Sequence, residues 1–377
     1  MKAGNEMKKI NVAVIGNGII GESHISAYKN IADCEVIAIC DINEDRLNYI
    51  GDKYGVKRRF THIGKLLLEK DIDAVDVCLH NNMHAPVSVA VMEAGKDAYC
   101  EKPMAGSYAD ALAMYEAMKR TGKKLHIQLA QIYSDEAKAA KRLIDNGHLG
   151  KIYHMRSYGF RRRGRPFVDG YATKEFVNNA TAGGGALFDM GVYHISQLLY
   201  LTDLPKLERV SGRIYSELPM DAGRKEISGY NVEELGCGFA SFAGGLTMDI
   251  IESWAIYSAP FPGSIIAGSK GGVCLSPFSY HTVIEDLQAD VKVDLGNMNY
   301  LNHTVYPENA MYDSSQHHWI AALQGKCELL PTALTALNTQ HIQEGIYLST
   351  KLNREVTADE VEKLSVSKAL YIPNLKL

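Results

Sequence analysis

Val12-Ala13-Val14-Ile15-Gly16-Asn17-Gly18-Ile19-Ile20-Gly21 is the stretch that decides the fold. Four apolar residues of strand type run into a Gly-x-Gly-x-x-Gly turn and then a helical pattern, the context that gives this spacing its meaning. Gly16 permits the tight turn, Gly18 lets the backbone approach a pyrophosphate at a helix N-terminus, and Gly21 allows close helix–strand packing. Asn17, Ile19 and Ile20 complete the loop expected to face a dinucleotide. Asp41 follows Gly21 by twenty positions, at the end of the second apolar run, where a carboxylate accepts hydrogen bonds from adenosine ribose hydroxyls. That carboxylate would repel a 2′-phosphate, so NAD is expected ahead of NADP. Arg46, in the next turn, is the residue that could bind that phosphate instead. A cap on Asn43 and the helix behind it is the other reading of Asp41.

Outward from this stretch, short apolar runs alternate with amphipathic ones as far as residue 127, predicting βα units around a doubly wound parallel sheet. Strands are expected at 10–15, 36–40, 74–78, 98–100 and 125–127. Asn43 and Ser107 signal helix starts, and Pro86 suggests the first turn of another. Beyond residue 134 a helix at 135–146 and a strand at 151–159 precede a basic irregular segment. A helix over 185–201 follows, then strand-like runs at 207–216, 233–242, 246–253, 264–267 and 273–276. Consecutive runs of this kind predict a large open, mainly antiparallel sheet. Helices at 309–324 and 331–352 close the chain. The expected division is a dinucleotide domain over 1–130 and an α+β domain for substrate binding and oligomerisation over 131–377.

Composition narrows the class of function. The chain has 377 residues, with 40 basic against 44 acidic side chains and a net charge of −4, so no global field favours nucleic acid or an anionic membrane. The seven cysteines are scattered without a CxxC, which fits buried thiols in a reducing cytoplasm. The first apolar run reaches glycine too soon for a signal peptide, and no stretch approaches a membrane span. A small, neutral or mildly charged substrate is the expected partner.

Ligands of an open parallel sheet bind beyond the carboxyl ends of its strands. Leu79-His80-Asn81-Asn82-Met83-His84 follows one such end and Glu101-Lys102-Pro103 another, so both should line one crevice. Lysine is a poor base at neutral pH, with an ordinary pKa of about 10.4, but burial beside a cationic ring would lower that value. A neutral Lys102 could then take a hydroxyl proton as hydride leaves the same carbon. The plainer fate of any lysine is the surface.

The run Ala94-Gly95-Lys96-Asp97-Ala98-Tyr99-Cys100-Glu101-Lys102-Pro103 resembles the signature of the glucose–fructose oxidoreductase/inositol dehydrogenase (Gfo/Idh/MocA) family. The resemblance implies a Rossmann domain, a glutamate (Glu101) on the nicotinamide ribose, a lysine (Lys102) bridging cofactor and substrate, and a usually cis bond to Pro103. It continues in Gly183-Gly184-Gly185-Ala186-Leu187-Phe188-Asp189-Met190-Gly191-Val192-Tyr193-His194, similar to the family's second motif, where a histidine or tyrosine follows the aspartate by four residues. Here that place is Tyr193, and His194 is one further. On an ideal helix Tyr193 shares a face with Asp189 while His194 lies about 140° round. Tyr193 is therefore the expected acid/base or orienting partner of Lys102. His194 is the second candidate, or a histidine satisfied by a backbone carbonyl. In the loop after the third expected strand, Leu79 and His80 replace the family's Thr-Pro, while Asn81 and His84 match.

The basic run Arg161-Arg162-Arg163-Gly164-Arg165-Pro166 reads either as a substrate lip, with Arg163 among the binding residues, or as a solvated loop. The segment Ser314-Ser315-Gln316-His317-His318-Trp319-Ile320 is a further place for substrate contacts, Trp319 being core or sugar platform. His317-His318 lacks metal spacing and no metal is expected. The resemblance implies hydride transfer between NAD and a secondary alcohol of a sugar, a glycoside (with C3 oxidation one form) or an inositol, in a homodimer or homotetramer formed through the C-terminal sheet. It also admits an NAD-dependent glycosidase acting by transient oxidation and elimination. A non-catalytic NAD-binding regulator is the third reading.

Overall fold

The structure, a computed structural model, describes residues 9–373 and 375. Strands β1 (Ile10–Ile15), β2 (Cys34–Cys40), β3 (Arg58–Phe60), β4 (Ala74–Val77), β5 (Asp97–Cys100) and β6 (Leu125–Ile127) pair in parallel in the order β3-β2-β1-β4-β5-β6. Helices α1 (Ile19–Tyr28), α2 (Glu44–Tyr54), α3 (Ile63–Leu67), α4 (Asn81–Glu93) and α5 (Tyr108–Thr121) make the connections. Asn43 and Ser107 cap α2 and α5 as their side chains predict. Alternate residues of β1 serve opposite faces. Val12 and Val14 meet Ile25 and Tyr28 of α1, while Ala13 and Ile15 join the core formed with Val87, Val91, Ala111 and Met114. Strand order reverses between β1 and β4, which opens a crevice at the carboxyl edge.

The second sheet has nine strands: β7 (Ile152–Gly159), β8 (Leu207–Tyr215), β9 (Leu235–Phe242), β10 (Thr247–Ser253), β11 (Ile265–Gly268), β12 (Gly271–Leu275), β13 (Phe278–Ile284), β14 (Leu287–Val291) and β15 (Val356–Thr357). Their order is β14-β13-β12-β11-β7-β10-β9-β8-β15, and only β7–β10 is parallel. The β13–β14 hairpin escapes the sequence pattern because its turn is Glu285-Asp286. Both residues take positive φ, 49° and 64°, without the glycine or asparagine that usually marks such turns.

Helices α6 (Asp135–Asp145), α7 (Asn179–Ala182), α8 (Ala186–Asp189), α9 (Gly191–Leu201), α10 (Ala222–Ser228), α11 (Leu295–Val305), α12 (Ser315–Leu323), α13 (Thr332–Leu352) and α14 (Ala358–Leu364) complete the chain. The helix expected over 309–324 begins only at Ser315, where Ser314 accepts from the His317 N–H, and a 3₁₀ turn precedes it. Long α13 ties the two sheets. Ala333, Ala336 and Leu337 pack in the core of the first, and Ile342 and Ile346 in that of the second.

Pro86 lies in the second turn of α4 and not in its first, because the helix starts at Asn81. A proline there has no N–H for the carbonyl of Asn82. That carbonyl instead accepts from the Leu370 N–H at 2.9 Å. Residues beyond α14 thus run back as a strap. Ser367 Oγ and the Lys368 N–H donate to Asp110, and Lys368 Nζ donates to the Gly183 carbonyl at 2.6 Å.

Candidate active site

The glycine turn has the shape a dinucleotide needs. A Cβ on Gly16 (φ +89°) would lie 2.2 Å from the Cys78 carbonyl oxygen, and one on Gly21 1.9 Å from that of Gly16. Both are fixed by packing. A Cβ on Gly18 would meet nothing within 4 Å, so space stands open before the N-terminus of α1. Buried Asn17 presents both side-chain amide atoms without a partner among the described residues. Such orphaned groups beside an open helix end suit a polar ligand, and Ile19 and Ile20 flank it, exposed.

Asp41 does two jobs. Its Oδ2 accepts the Asn17 N–H at 2.7 Å and its Oδ1 the Asn43 N–H at 2.9 Å, so the carboxylate both shapes the loop and holds the cap residue of α2. Arg46 is committed elsewhere. Its Nε donates to the Asn17 carbonyl at 2.6 Å and its guanidinium pairs with Glu22 at 2.5 Å. Held there, it is not presented as a free phosphate ligand, which agrees with NAD.

The loops after β4 and β5 meet across His84. Its buried ring approaches the Pro103 carbonyl at 2.8 Å and the Leu79 carbonyl at 3.0 Å, and burial lowers its pKa. The neutral ring has one N–H for these two carbonyls, and it packs between the loops and braces them. The Leu79 side chain abuts Gly16, and His80 occupies the N-cap position of α4. Asn81 Nδ2 donates to the Ala182 carbonyl at 2.7 Å, and Asn82 to that of Ala180 at 2.7 Å. These contacts join the first sheet's loop to the segment before the triple glycine. Gly183 takes a φ of +74°, and its Cβ would sit 2.6 Å from the Gly106 carbonyl oxygen.

The Gly183 turn delivers Asp189 to Lys102. Nζ of Lys102 lies 2.8 Å from Asp189 Oδ1 and 4.3 Å from the centroid of the Tyr193 ring. The Lys102–Pro103 bond is cis, and the Lys102 N–H donates to Glu101 Oε2 at 3.0 Å. Burial pulls the lysine pKa down, as expected from its place, but Asp189, Tyr193 and Glu101 outweigh it and the pKa is raised. The Asp189 carboxylate in contact with the amine sets this direction. Burial likewise pushes Asp189 up, and Lys102 reverses this, so its pKa is lowered.

The helix expected over 185–201 is two helices, α8 and α9, joined at Met190, where the Tyr193 N–H bonds the Met190 carbonyl at 3.1 Å. Tyr193 faces Lys102 as the helical spacing predicts. His194 turns instead to Glu252, with Nδ1 at 3.0 Å from Oε2. Burial lowers the pKa of His194, Glu252 more than offsets it, and the net shift is upward. Glu252 also accepts from Ser157 Oγ at 2.6 Å.

Sequence reading missed three residues here, Glu252 and two more. Trp254 Nε1 donates to Asp189 Oδ2 at 2.9 Å. Buried Glu233 accepts the N–H groups of Gly185 and Leu187, both at 2.9 Å, anchoring the start of α8. Glu233 opens the run expected at 233–242, two residues ahead of β9, and Glu252 interrupts an apolar strand, the signals the sequence offered.

The basic segment splits. Arg165 is fully buried, paired with Asp169 and with Glu234 at 2.8 Å, so it is structural. Arg163 is exposed and meets Asp169 at 3.2 Å. It is Arg161 whose charge bears on Asp189, with Tyr171 over its guanidinium. Trp319 is wholly buried against Tyr99 and His126, which makes it core and not a sugar platform.

Residues 10–129 match the profile described as "Oxidoreductase family, NAD-binding Rossmann fold", and 137–274 match "GFO/IDH/MocA C-terminal domain". A D-glucoside 3-dehydrogenase of Escherichia coli is 25% identical over 364 residues, covering 94% of this chain and 99% of that one. An inositol 2-dehydrogenase of Salmonella typhimurium is 32% identical over 154 residues, 40% of this chain and 46% of the relative. Among solved structures, a levoglucosan dehydrogenase in complex with NADH superposes with a TM-score of 0.80 at 19% identity, covering 93% of this chain and 99% of that one.

Proposed function

The chain belongs to the GFO/IDH/MocA oxidoreductase family with its NAD-binding Rossmann fold, and from this we propose that it catalyses reversible NAD-dependent oxidation of a secondary alcohol on a sugar, glycoside or inositol. The observation that carries the proposal is the Lys102–Asp189 pair, which joins the loop after β5 to the helix after the triple glycine. Bound NAD supplies the hydride acceptor and a ring cation that works against the ammonium form of Lys102.

Lys102 handles the hydroxyl proton at Nζ, and the ammonium that Asp189 favours is the donor needed in the reducing direction. Asp189, steadied by Trp254, orients that amine. Tyr193 walls it and offers a phenol as relay, while His194, paired with Glu252, takes the supporting place. Gly18, Asn17, Asp41 and Glu101 are the cofactor contacts, with Gly16 and Gly21 shaping the loop by packing. Arg161, ahead of Arg163, is the nearer arginine for substrate.

The full-length likeness to a D-glucoside 3-dehydrogenase supports a glycoside oxidised at C3. We assign dinucleotide binding to 1–130 and substrate binding to 131–377. Oligomerisation through the outer sheet face is supported by exposed Phe239, which lies opposite Asp249 and its partner Arg156, and by Tyr215, exposed further along. The seven free cysteines support a cytoplasmic setting.

A panel of inositols, aldoses and glycosides with NAD and NADP, read by absorbance of reduced cofactor, tests the proposal. Turnover with NAD on at least one glycoside or polyol is expected. Glycoside cleavage without net NADH would assign the transient-oxidation mechanism, and NAD binding without any turnover would leave a regulator.

A further inference from the structure

Gly21 lets α1 pack closely on β1, and that approach brings His24, just under one turn further, under the loops of the active site. Its ring is buried. Nδ1 lies 2.9 Å from Asp76 Oδ2 and Nε2 lies 2.8 Å from Glu101 Oε1. A neutral imidazole has one N–H and one lone pair, and the lone pair would face a carboxylate oxygen at contact distance. Only the doubly protonated ring donates to both.

The groups facing it agree. Asp76 and Cys78 come from β4 and its end, Tyr99 and Glu101 from β5 and its end, and Tyr28 from α1 itself. Burial opposes the charge on His24, but the effects of Cys78 and Asp76 exceed it and its pKa is raised. From α12, Trp319 and Ser315 pack behind Tyr99 and bring no charge.

We infer that His24 is a positioning residue of the Lys102 site, a buried imidazolium held between Asp76 and Glu101 that fixes the Glu101 carboxylate beneath Lys102 and limits its pull on the lysine ammonium. The rate effect of this arrangement rests on the proposed dehydrogenase reading. The charge state of His24 does not. Glu101 carries the coupling, because one of its oxygens takes His24 and the other the Lys102 N–H. Without the imidazolium, Glu101 would act on Lys102 uncompensated and hold its proton more tightly.

His24→Asn places an amide near the former Nδ1, keeping a donor for Asp76 and removing the one for Glu101. With a substrate from the panel and saturating NAD, the acid limb of the kcat–pH profile is expected to move up by about one pH unit. A merely structural contact would lower kcat without moving the limb, so a limb that stays in place, or moves down, overturns the inference. Nitrogen-15 NMR of labelled histidine in the wild-type protein covers the case of a variant that fails to fold. Both His24 nitrogens are expected to be protonated at neutral pH, and a singly protonated ring overturns the inference. If the wild type oxidises nothing in the panel, the dehydrogenase reading fails while the NMR result still decides the charge on His24.

Discussion

Trp254 Nε1 donates to Asp189 Oδ2 at 2.9 Å, which leaves Oδ1 for Lys102. The indole therefore sets the rotation of the carboxylate that meets the amine. Trp254→Phe keeps most of the buried ring and removes the N–H, so Asp189 loses one partner and its fixed orientation. A fall in kcat of about tenfold is expected, with a stability loss of about 1–2 kcal/mol by denaturant titration. Unchanged kcat would show that Lys102 alone orients Asp189.

Lys102→Met removes the proposed proton carrier while keeping the apolar stem. NAD affinity is expected to remain within about tenfold and turnover to fall by about 10²–10⁴. Isothermal titration and steady-state rates read the two separately, and near-normal turnover would remove the amine from the mechanism.

Much of this was legible from the sequence because the signals are local. The Gly16–Gly21 spacing, Asp41 and the glycine triplet each lie within a single turn or strand end, where backbone geometry dictates residue type. Helical spacing also put Tyr193, not His194, on the Lys102 side. What escaped depends on distant partners. His24 meets Asp76 from 52 positions away and Trp254 meets Asp189 from 65, and periodicity carries no such information. Asp76, an acid inside the apolar run of β4, was the available clue. The Arg161–Arg165 run looked uniform, yet burial of Arg165 against Glu234 separates a structural arginine from a rim one.

Gly18 and Gly21 should separate binding from folding. A methyl on Gly18, whose φ is −65°, enters open space, so Gly18→Ala is expected to leave the melting temperature within about 2 °C while weakening NAD binding at least about tenfold. Gly21→Ala would press on the Gly16 backbone and is expected to lower the melting temperature clearly. Normal NAD affinity in Gly18→Ala would place the pyrophosphate elsewhere.

The His194–Glu252 pair gives stability a pH dependence of definite sign. The folded pKa of His194 is raised, so its contribution is complete below the unfolded value of about 6.5 and is lost as pH rises through the folded value. The difference in melting temperature between wild type and His194→Asn should therefore shrink between about pH 6 and pH 9. A difference that grows over that range would mean that His194 is neutral in the fold.

Pro86 and Leu370 form a matched pair, since the strap's N–H serves the Asn82 carbonyl that the proline cannot. Cutting the chain after Ala369 removes that donor and leaves a buried acceptor unmet. Pro86→Ala restores an N–H in the helix itself, so it should stabilise the truncated chain more than the intact one, in which Leu370 already occupies the carbonyl. A double-mutant cycle by denaturant titration is expected to give a coupling of about 1 kcal/mol. Zero coupling would mean that the strap is held by Lys368 and Ser367 on Asp110 and that the Asn82 carbonyl contributes nothing to its docking.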